Sequence, residues 1–136
     1  MKMSVARAPG RDSVAVLRLE GELDASNFEA LIAHGQQLYE GGVRHLLLDM
    51  SGVGYMGSSG LVALHSLVLI LAGGRPPDPE AGWSAHHSIG PPAEGGSQNG
   101  LKILAPQPTV LRALERTGMS RFIAIHTDEE AALASF

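Results

Sequence analysis

The stretch VRHLLLDMSGVGYMGSSGLVAL, residues 43–64, decides the fold of this chain. Residues 43–50 form an apolar run with three consecutive leucines, which is typical of a strand that is covered on both faces or central in a sheet. A glycine-rich turn follows, and an apolar helix is expected from about residue 58 to about residue 72. The turn brings two serines, Ser58 and Ser59, to the start of that helix.

The residues before this unit predict a hairpin and a helix. Residues 4–8 and 13–21 alternate between apolar and polar side chains around a turn at 9–12, as paired strands do. Helical spacing follows, Ser26 and Glu29 form a capping-box pattern, and Asp24 is a second possible cap. The residues expected on the apolar face of this helix are Phe28, Leu31, Ile32, Gly35, Leu38 and Tyr39, with Gly41 and Gly42 at its end.

The composition changes at Gly73. Prolines and glycines dominate residues 73–100 and apolar periodicity is lost, so we expect a flexible surface insertion there, with Trp83 as the chain's single tryptophan. A strand at 101–105 should restore regular order. The remaining predicted elements are a helix at about 109–117 with Val110, Leu111 and Leu114 inward and Gly118 as its stop, a strand at 121–126, and a short helix capped by Thr127 or Asp128.

This order of elements predicts one domain over residues 1–136. Strands that alternate with helices indicate an α/β fold with a largely parallel sheet, and the opening hairpin adds one antiparallel pair. Apolar residues make up 44% of the chain and charged residues 18%, which supplies enough hydrophobic material for a packed core.

Composition also excludes several functions. The formal net charge of −4 argues against non-specific nucleic-acid binding, which needs a basic face. The chain has no cysteine, which excludes disulfides, thiolate metal sites and cysteine nucleophiles. Its start lacks the apolar core of a signal peptide, and its longest apolar run, residues 61–72, is shorter than the roughly 20 residues that span a bilayer. We therefore expect a cytoplasmic protein with no nucleic-acid partner and no direct membrane insertion.

The glycine-rich turn admits three enzymatic interpretations, and each lacks a residue. Gly52, Gly54 and Gly57 match the spacing of a dinucleotide fingerprint, but no acidic residue ends the next predicted strand to hold a ribose. A P-loop needs lysine where Ser58 stands. A hydrolase nucleophile elbow at Ser59 needs glycine where Leu61 stands. The histidines show no metal-binding spacing on a helix, and His86 and His87 fall in the insertion. We expect no enzyme activity, no cofactor and no metal.

Two interpretations of the serines remain. Ser58 or Ser59 caps the helix by accepting a backbone hydrogen bond, or one of them receives a phosphate, and one serine of the pair can serve each purpose. A phosphoserine adds a charge of about −1.5 to −2. The positive end of the helix dipole tolerates that charge, with about 0.3–1 kcal/mol for a favourable helix-end interaction. Phosphorylation here would change what a docked partner meets without unfolding the domain.

The chain resembles a known family in three segments. VAVLRLEGELDASNFEAL, GVRHLLLDMSGVGYMGSSGLVAL and LKILAPQPTVLRALERTGMSRFIAIHTDEEAAL are similar, in this order, to segments of a STAS domain. The likeness is closest to single-domain anti-sigma factor antagonists, and it leaves out residues 73–100. It implies a mixed sheet of four or five strands with about four helices mainly on one face.

The resemblance also implies a partner-switching function without enzyme activity. The unphosphorylated form binds an anti-sigma factor that is also a serine kinase of the GHKL type. Phosphorylation of Ser58, with Ser59 as the second candidate, releases the anti-sigma factor. A PP2C-like phosphatase restores binding. The alternative within the family is a non-switching STAS scaffold or an accessory subunit of a larger assembly such as a membrane transporter. The residues implied to contact the partner are Glu22, Asp24, Ser26, Asn27, Tyr55, Met56, Gly57, Ser58, Ser59 and Gly60.

Two features depart from the family pattern. The usual tetrad is Asp-Ser-Ser-Gly, whereas here Gly57 precedes Ser58, Ser59 and Gly60. The helix that follows the serines passes in shorter relatives directly to the next strand, whereas here residues 73–100 intervene. The insertion is either an inert loop or a partner-specific arm anchored by Trp83.

Overall fold

The computed structural model describes residues 1–8, 10–73, 100–121 and 123–136. Pro9 and Phe122 lie outside these ranges, as does the predicted insertion except for its end residues, Gly73 and Gly100. The elements in chain order are β1 (Lys2–Ala8), β2 (Arg11–Leu23), α1 (Phe28–Glu40), β3 (His45–Met56), α2 (Ser58–Leu71), β4 (Leu101–Leu104), α3 (Pro108–Thr117), a 3-10 turn (Met119–Arg121), β5 (Ala124–His126) and α4 (Glu129–Ala134).

The strands form one five-stranded sheet in the order β1-β2-β3-β4-β5. β1 pairs with β2 in the antiparallel sense, and the β2–β3, β3–β4 and β4–β5 pairs are parallel. The prediction of an α/β fold with a largely parallel sheet and an opening hairpin is confirmed. Because β3 is central and parallel to both neighbours, the carboxyl ends of β2, β3 and β4 meet at one edge of the sheet.

The helices lie mainly on one face of the sheet, as predicted. Leu46 and Leu48 of β3 join the larger core with the buried residues of α1, α2 and α3. Leu47, between them, joins a smaller cluster with Ala132 of α4. Side chains alternate between the faces of a strand, so the three leucines of β3 serve both layers. This explains why the run is apolar without interruption.

The helix faces follow the sequence pattern closely. In α1, Leu31, Gly35 and Leu38 are buried, and Phe28, Ile32 and Tyr39 pack partly buried against the larger core. In α3, Val110 and Leu114 are buried and Gly118 ends the helix with φ 82°, whereas Leu111 is half-buried. Asp128 caps α4, since its Oδ2 accepts a hydrogen bond from the Ala131 amide at 2.9 Å.

Several strand boundaries differ from the prediction, and two of them differ by three residues or more. The last strand is Ala124–His126, and Arg121 belongs to the 3-10 turn. β3 continues six residues past Met50 to Met56, so Gly52 and Gly54 lie inside a strand rather than in a turn. A Cβ at Gly52 would lie 2.8 Å from the Leu19 carbonyl oxygen of β2. Glycine is therefore required at this position by the close approach of two strands.

No helix in the described ranges is both long enough and apolar enough to cross a bilayer.

Candidate functional site

The predicted phosphorylation site lies where β3 passes into α2. Ser58 is the first helical residue, and Gly57 occupies the cap position with φ −84° and ψ −177° and no side-chain cap hydrogen bond. The prediction that Ser58 or Ser59 caps the helix is therefore wrong, because the cap position lies one residue earlier. Ser58 is exposed and Ser59 is half-buried. Of the two hydroxyls, that of Ser58 is the more accessible to another protein.

The start of α2 is packed tightly onto the ends of two strands. The Gly57 amide donates to the Leu23 carbonyl oxygen at 2.9 Å, and the Gly60 amide donates to the Gly57 carbonyl oxygen at 3.0 Å. A Cβ at Gly60 would lie 3.0 Å from Leu23 Cγ and closer still to Met56 Cγ. Gly60 therefore allows α2 to pack directly against the edge of the sheet. This contact fixes the position of Ser58 at the start of the helix.

Gly57 is not required in the same way. Its φ and ψ are extended backbone that any residue adopts. A Cβ there would meet the Tyr55 hydroxyl oxygen at 3.4 Å, which is ordinary contact. The backbone thus has room for the aspartate that the family pattern places at this position.

The loop between β2 and α1 is held by its own polar side chains. Asp24 Oδ1 accepts hydrogen bonds from the Ser26 amide at 2.9 Å and from the Ser26 hydroxyl at 2.5 Å. Asn27 accepts from the Asp24 amide at 3.0 Å and donates to the Glu22 carbonyl oxygen at 2.7 Å. The predicted capping box of Ser26 and Glu29 is wrong, because Asn27 is the cap residue and its side chain turns back toward the loop.

These hydrogen bonds also affect the ionisation of Asp24. The Ser26 hydroxyl, and after it the Ser26 amide, stabilise the Asp24 carboxylate and lower its pKa below the ordinary value. Glu22 and Asp24 make this side of the site acidic.

The sheet brings the loop and the serines together. Glu22 is the register partner of Tyr55, and Leu23 that of Met56, so the loop that follows β2 starts beside the turn that follows β3. The predicted partner-binding residues thus form one surface. Met56 and Gly60 are the exceptions in exposure, since both are buried and support that surface from below.

A groove that the sequence did not predict lies on the other side of Tyr55. This groove, of about 240 Å³, is lined by Tyr55, Met56, Thr109, Arg112, Ala113 and Arg116. Tyr55 is 53% exposed. The pattern of α3 already places Arg112 and Arg116 four residues apart on a face away from Val110 and Leu114. It does not reveal that this face meets the end of β3, because that depends on the strand order.

The site does not offer the geometry of a phosphate-binding loop. Such loops cradle phosphate with glycine amides between a strand and a helix, whereas Gly52 and Gly54 lie inside β3 and Gly57 alone separates β3 from α2. Across the described ranges, no group of three or more His, Asp or Glu side chains is placed to hold a metal ion. His86 and His87 lie outside those ranges.

Known proteins share this sequence pattern and this fold. Residues 6–72 match the STAS domain family. An anti-sigma factor antagonist from Mycobacterium paratuberculosis is 20% identical, with a TM-score of 0.66 over 98% of this chain and 92% of that one. The Bacillus cell fate determinant SpoIIAA in its phosphorylated form is 20% identical, with a TM-score of 0.61 over 99% of this chain and 100% of that one.

A STAS domain from a membrane transporter has the same fold. The SulP transporter STAS domain from Vibrio cholerae is 18% identical, with a TM-score of 0.55 over 93% of this chain and 85% of that one. At these identities the structural matches show a common fold. The match of residues 6–72 to a family is a separate finding from the sequence. The sequence match identifies residues 6–72 as a STAS domain sequence, and the five-stranded sheet has the fold of the STAS structures that it resembles.

Proposed function

We propose that this protein is an anti-sigma factor antagonist that works by partner switching at Ser58. The unphosphorylated form binds an anti-sigma factor that is also a GHKL-type serine kinase, which frees a sigma factor. Phosphorylation of Ser58 releases the anti-sigma factor, and a PP2C-like phosphatase reverses the modification. In this proposal the protein is a cytoplasmic binding module, not an enzyme.

The observation that carries the proposal is the placement of Ser58. Its side chain is exposed at the first position of a 14-residue helix, where backbone amides without intrahelical partners and the helix dipole favour a negative group. Gly60 and the Gly57–Leu23 hydrogen bond hold that position firmly on the sheet edge. A dianion at Ser58 would leave the core untouched, so its effect would fall on whatever protein covers the site.

Gly57 bears on how the switch works. A carboxylate next to the phosphoserine would repel it, and glycine removes that repulsion. The kinase would then have to recognise Ser58 by contacts with neighbouring side chains. Glu22, Asp24 and Tyr55 are the side chains that it could contact. Two proteins with this fold support the proposed function: the antagonist from Mycobacterium paratuberculosis, and SpoIIAA, an anti-sigma factor antagonist whose structure is also known in a phosphorylated form.

Phosphosite mapping tests the proposal. The purified protein is incubated with ATP and, in turn, each GHKL-type anti-sigma kinase encoded in the same genome, and the modified residue is located by mass spectrometry. We expect phosphate on Ser58, loss of the signal in Ser58→Ala, and retention in the matched control Ser59→Ala. Phosphate confined to other residues, with Ser58→Ala modified as the wild type is, would refute the assignment.

The second candidate is a non-switching STAS scaffold that serves a larger assembly. The shared fold with a SulP transporter STAS domain favours it, and so does Gly57 where a switching relative has aspartate. Affinity purification distinguishes the two functions. A membrane transporter recovered in stoichiometric amount would favour the scaffold, and a recovered anti-sigma factor would favour the switch.

A further inference from the structure

The groove beside Tyr55 has an apolar floor and a basic wall. Met56 and Ala113 are buried or half-buried beneath it, whereas Arg112 and Arg116 are exposed. Among the described residues, no acidic side chain lines it. An apolar floor with charge of one sign at its edge suits a partner segment that carries an apolar anchor flanked by the opposite charge.

The two guanidinium groups have no partner among the described residues. Within the described ranges, other basic side chains bind the protein itself: Arg18 pairs with Asp49 and Glu129, and Lys102 donates to the Ser135 carbonyl oxygen. Arg112 and Arg116 make no hydrogen bond or ion pair with any of the described residues. They also stand four residues apart on one helix, a spacing at which like charges repel. An acidic ligand would relieve that repulsion.

The groove completes a surface with two opposite charges. Tyr55 stands between them, because its register partner Glu22 begins the acidic loop on the β2 side and the arginines form the α3 side of the groove. Ser58 follows Tyr55 by three residues. A partner that covers Ser58 therefore meets negative charge on one side and positive charge on the other, and that pattern permits one orientation of docking.

We propose that this groove binds an acidic segment with an aromatic or aliphatic anchor, presented by the protein that docks over Ser58. The anchor packs on Tyr55 and Ala113, and carboxylates on either side of it pair with Arg112 and Arg116. The inference rests on the proposed function for the identity of the partner. The groove's chemistry can be tested without it.

The test uses a probe that requires neither kinase nor phosphate. The acetylated and amidated peptide Glu-Glu-Phe-Glu-Glu is titrated into 15N-labelled protein at low salt, with Lys-Lys-Phe-Lys-Lys as the charge control. We expect the amide resonances of Met56, Thr109 and Ala113 to shift with the acidic peptide alone. The double variant Arg112→Glu/Arg116→Glu should weaken binding by at least about tenfold, and Arg121→Glu, an exposed arginine outside the groove, should bind as the wild type does.

Three results would each overturn the inference: no shift of the groove resonances, equal binding of the lysine peptide, or unchanged affinity of the double variant. Thermal unfolding of each variant shows whether a loss of binding reflects a loss of fold. Because the probe does not involve Ser58, a failure here leaves the proposed switch standing, and a failure of phosphosite mapping leaves the groove standing.

Discussion

Gly60 and Gly57 stand three residues apart in the same turn, and the structure predicts opposite effects for substituting them. A Cβ at Gly60 would lie 3.0 Å from Leu23 Cγ and 3.1 Å from its Cδ2, and closer still to Met56 Cγ. Carbon atoms attract best at about 3.5–4.0 Å. Leu23 is 0% exposed and Met56 is 8% exposed, so neither side chain has room to move away.

The cost of Gly60→Ala follows from two opposing effects. Overpacking a tight site typically costs about 1–3 kcal/mol, and the better helix propensity of alanine returns up to about 1 kcal/mol. We expect the free energy of unfolding to fall by about 1–2 kcal/mol, which lowers the melting temperature by about 3–8 °C in a domain of this size.

Gly57→Asp is the matched comparison. The extended backbone accepts any residue, and the nearest contact is ordinary at 3.4 Å. A carboxylate at the cap position can accept a hydrogen bond from a helix amide. It also lies at the positive end of the helix dipole, an interaction that contributes about 0.3–1 kcal/mol. We expect this variant to be at least as stable as the wild type.

Urea denaturation followed by circular dichroism measures both variants. The midpoint should move down for Gly60→Ala and stay or move up for Gly57→Asp, with the slope unchanged in each. If Gly60→Ala proved as stable as the wild type, the close packing of α2 onto the sheet edge would be refuted.

Further predictions concern titration. The pKa of Asp24, measured by NMR, should lie below the ordinary value and rise in Ser26→Ala, because the Ser26 hydroxyl is the main cause of its lowering; the stability that this loop gains is present at neutral pH and is lost as the pH falls through the lowered pKa. An unchanged Asp24 pKa in Ser26→Ala would contradict the loop geometry. The pKa of His45 should also be low, through burial first and then the nearby charges of Arg11 and Lys102. Lys102→Met should therefore raise the His45 pKa only partly, and stability should decrease as the pH falls from the ordinary imidazole pKa toward the folded value; a complete return to the ordinary pKa would assign the effect to charge instead of burial.

The sequence was sufficient for the central unit of the fold. The leucine run of β3 and the apolar length of α2 are local patterns, and they predicted the strand and the helix correctly, although β3 continues to Met56. The loop between β2 and α1 lies beside the serines because β2 and β3 are parallel neighbours and end at the same edge of the sheet. These features depend on residues close together in the chain or on the common topology of parallel strands.

Other features depend on contacts that the sequence pattern does not show. β3 continues through Gly52 because β2 pairs with it there, and the close Leu19 carbonyl oxygen leaves no room for a side chain. Glycine by itself predicts a turn instead. The Asn27 side chain forms hydrogen bonds with Asp24 and Glu22. These bonds replace the predicted capping box of Ser26 and Glu29, which would have involved the same loop. Arg112 and Arg116 line a groove only because α3 packs beside the end of β3.

The central claim is that a phosphate on Ser58 controls docking. The most direct measurement compares the affinity of the anti-sigma factor for the unmodified protein with its affinity for protein carrying phosphoserine at position 58, incorporated during translation. The account predicts a loss of at least about a hundredfold, or about 2.7 kcal/mol, on phosphorylation, with both forms equally folded. Equal affinities for the two forms would contradict it.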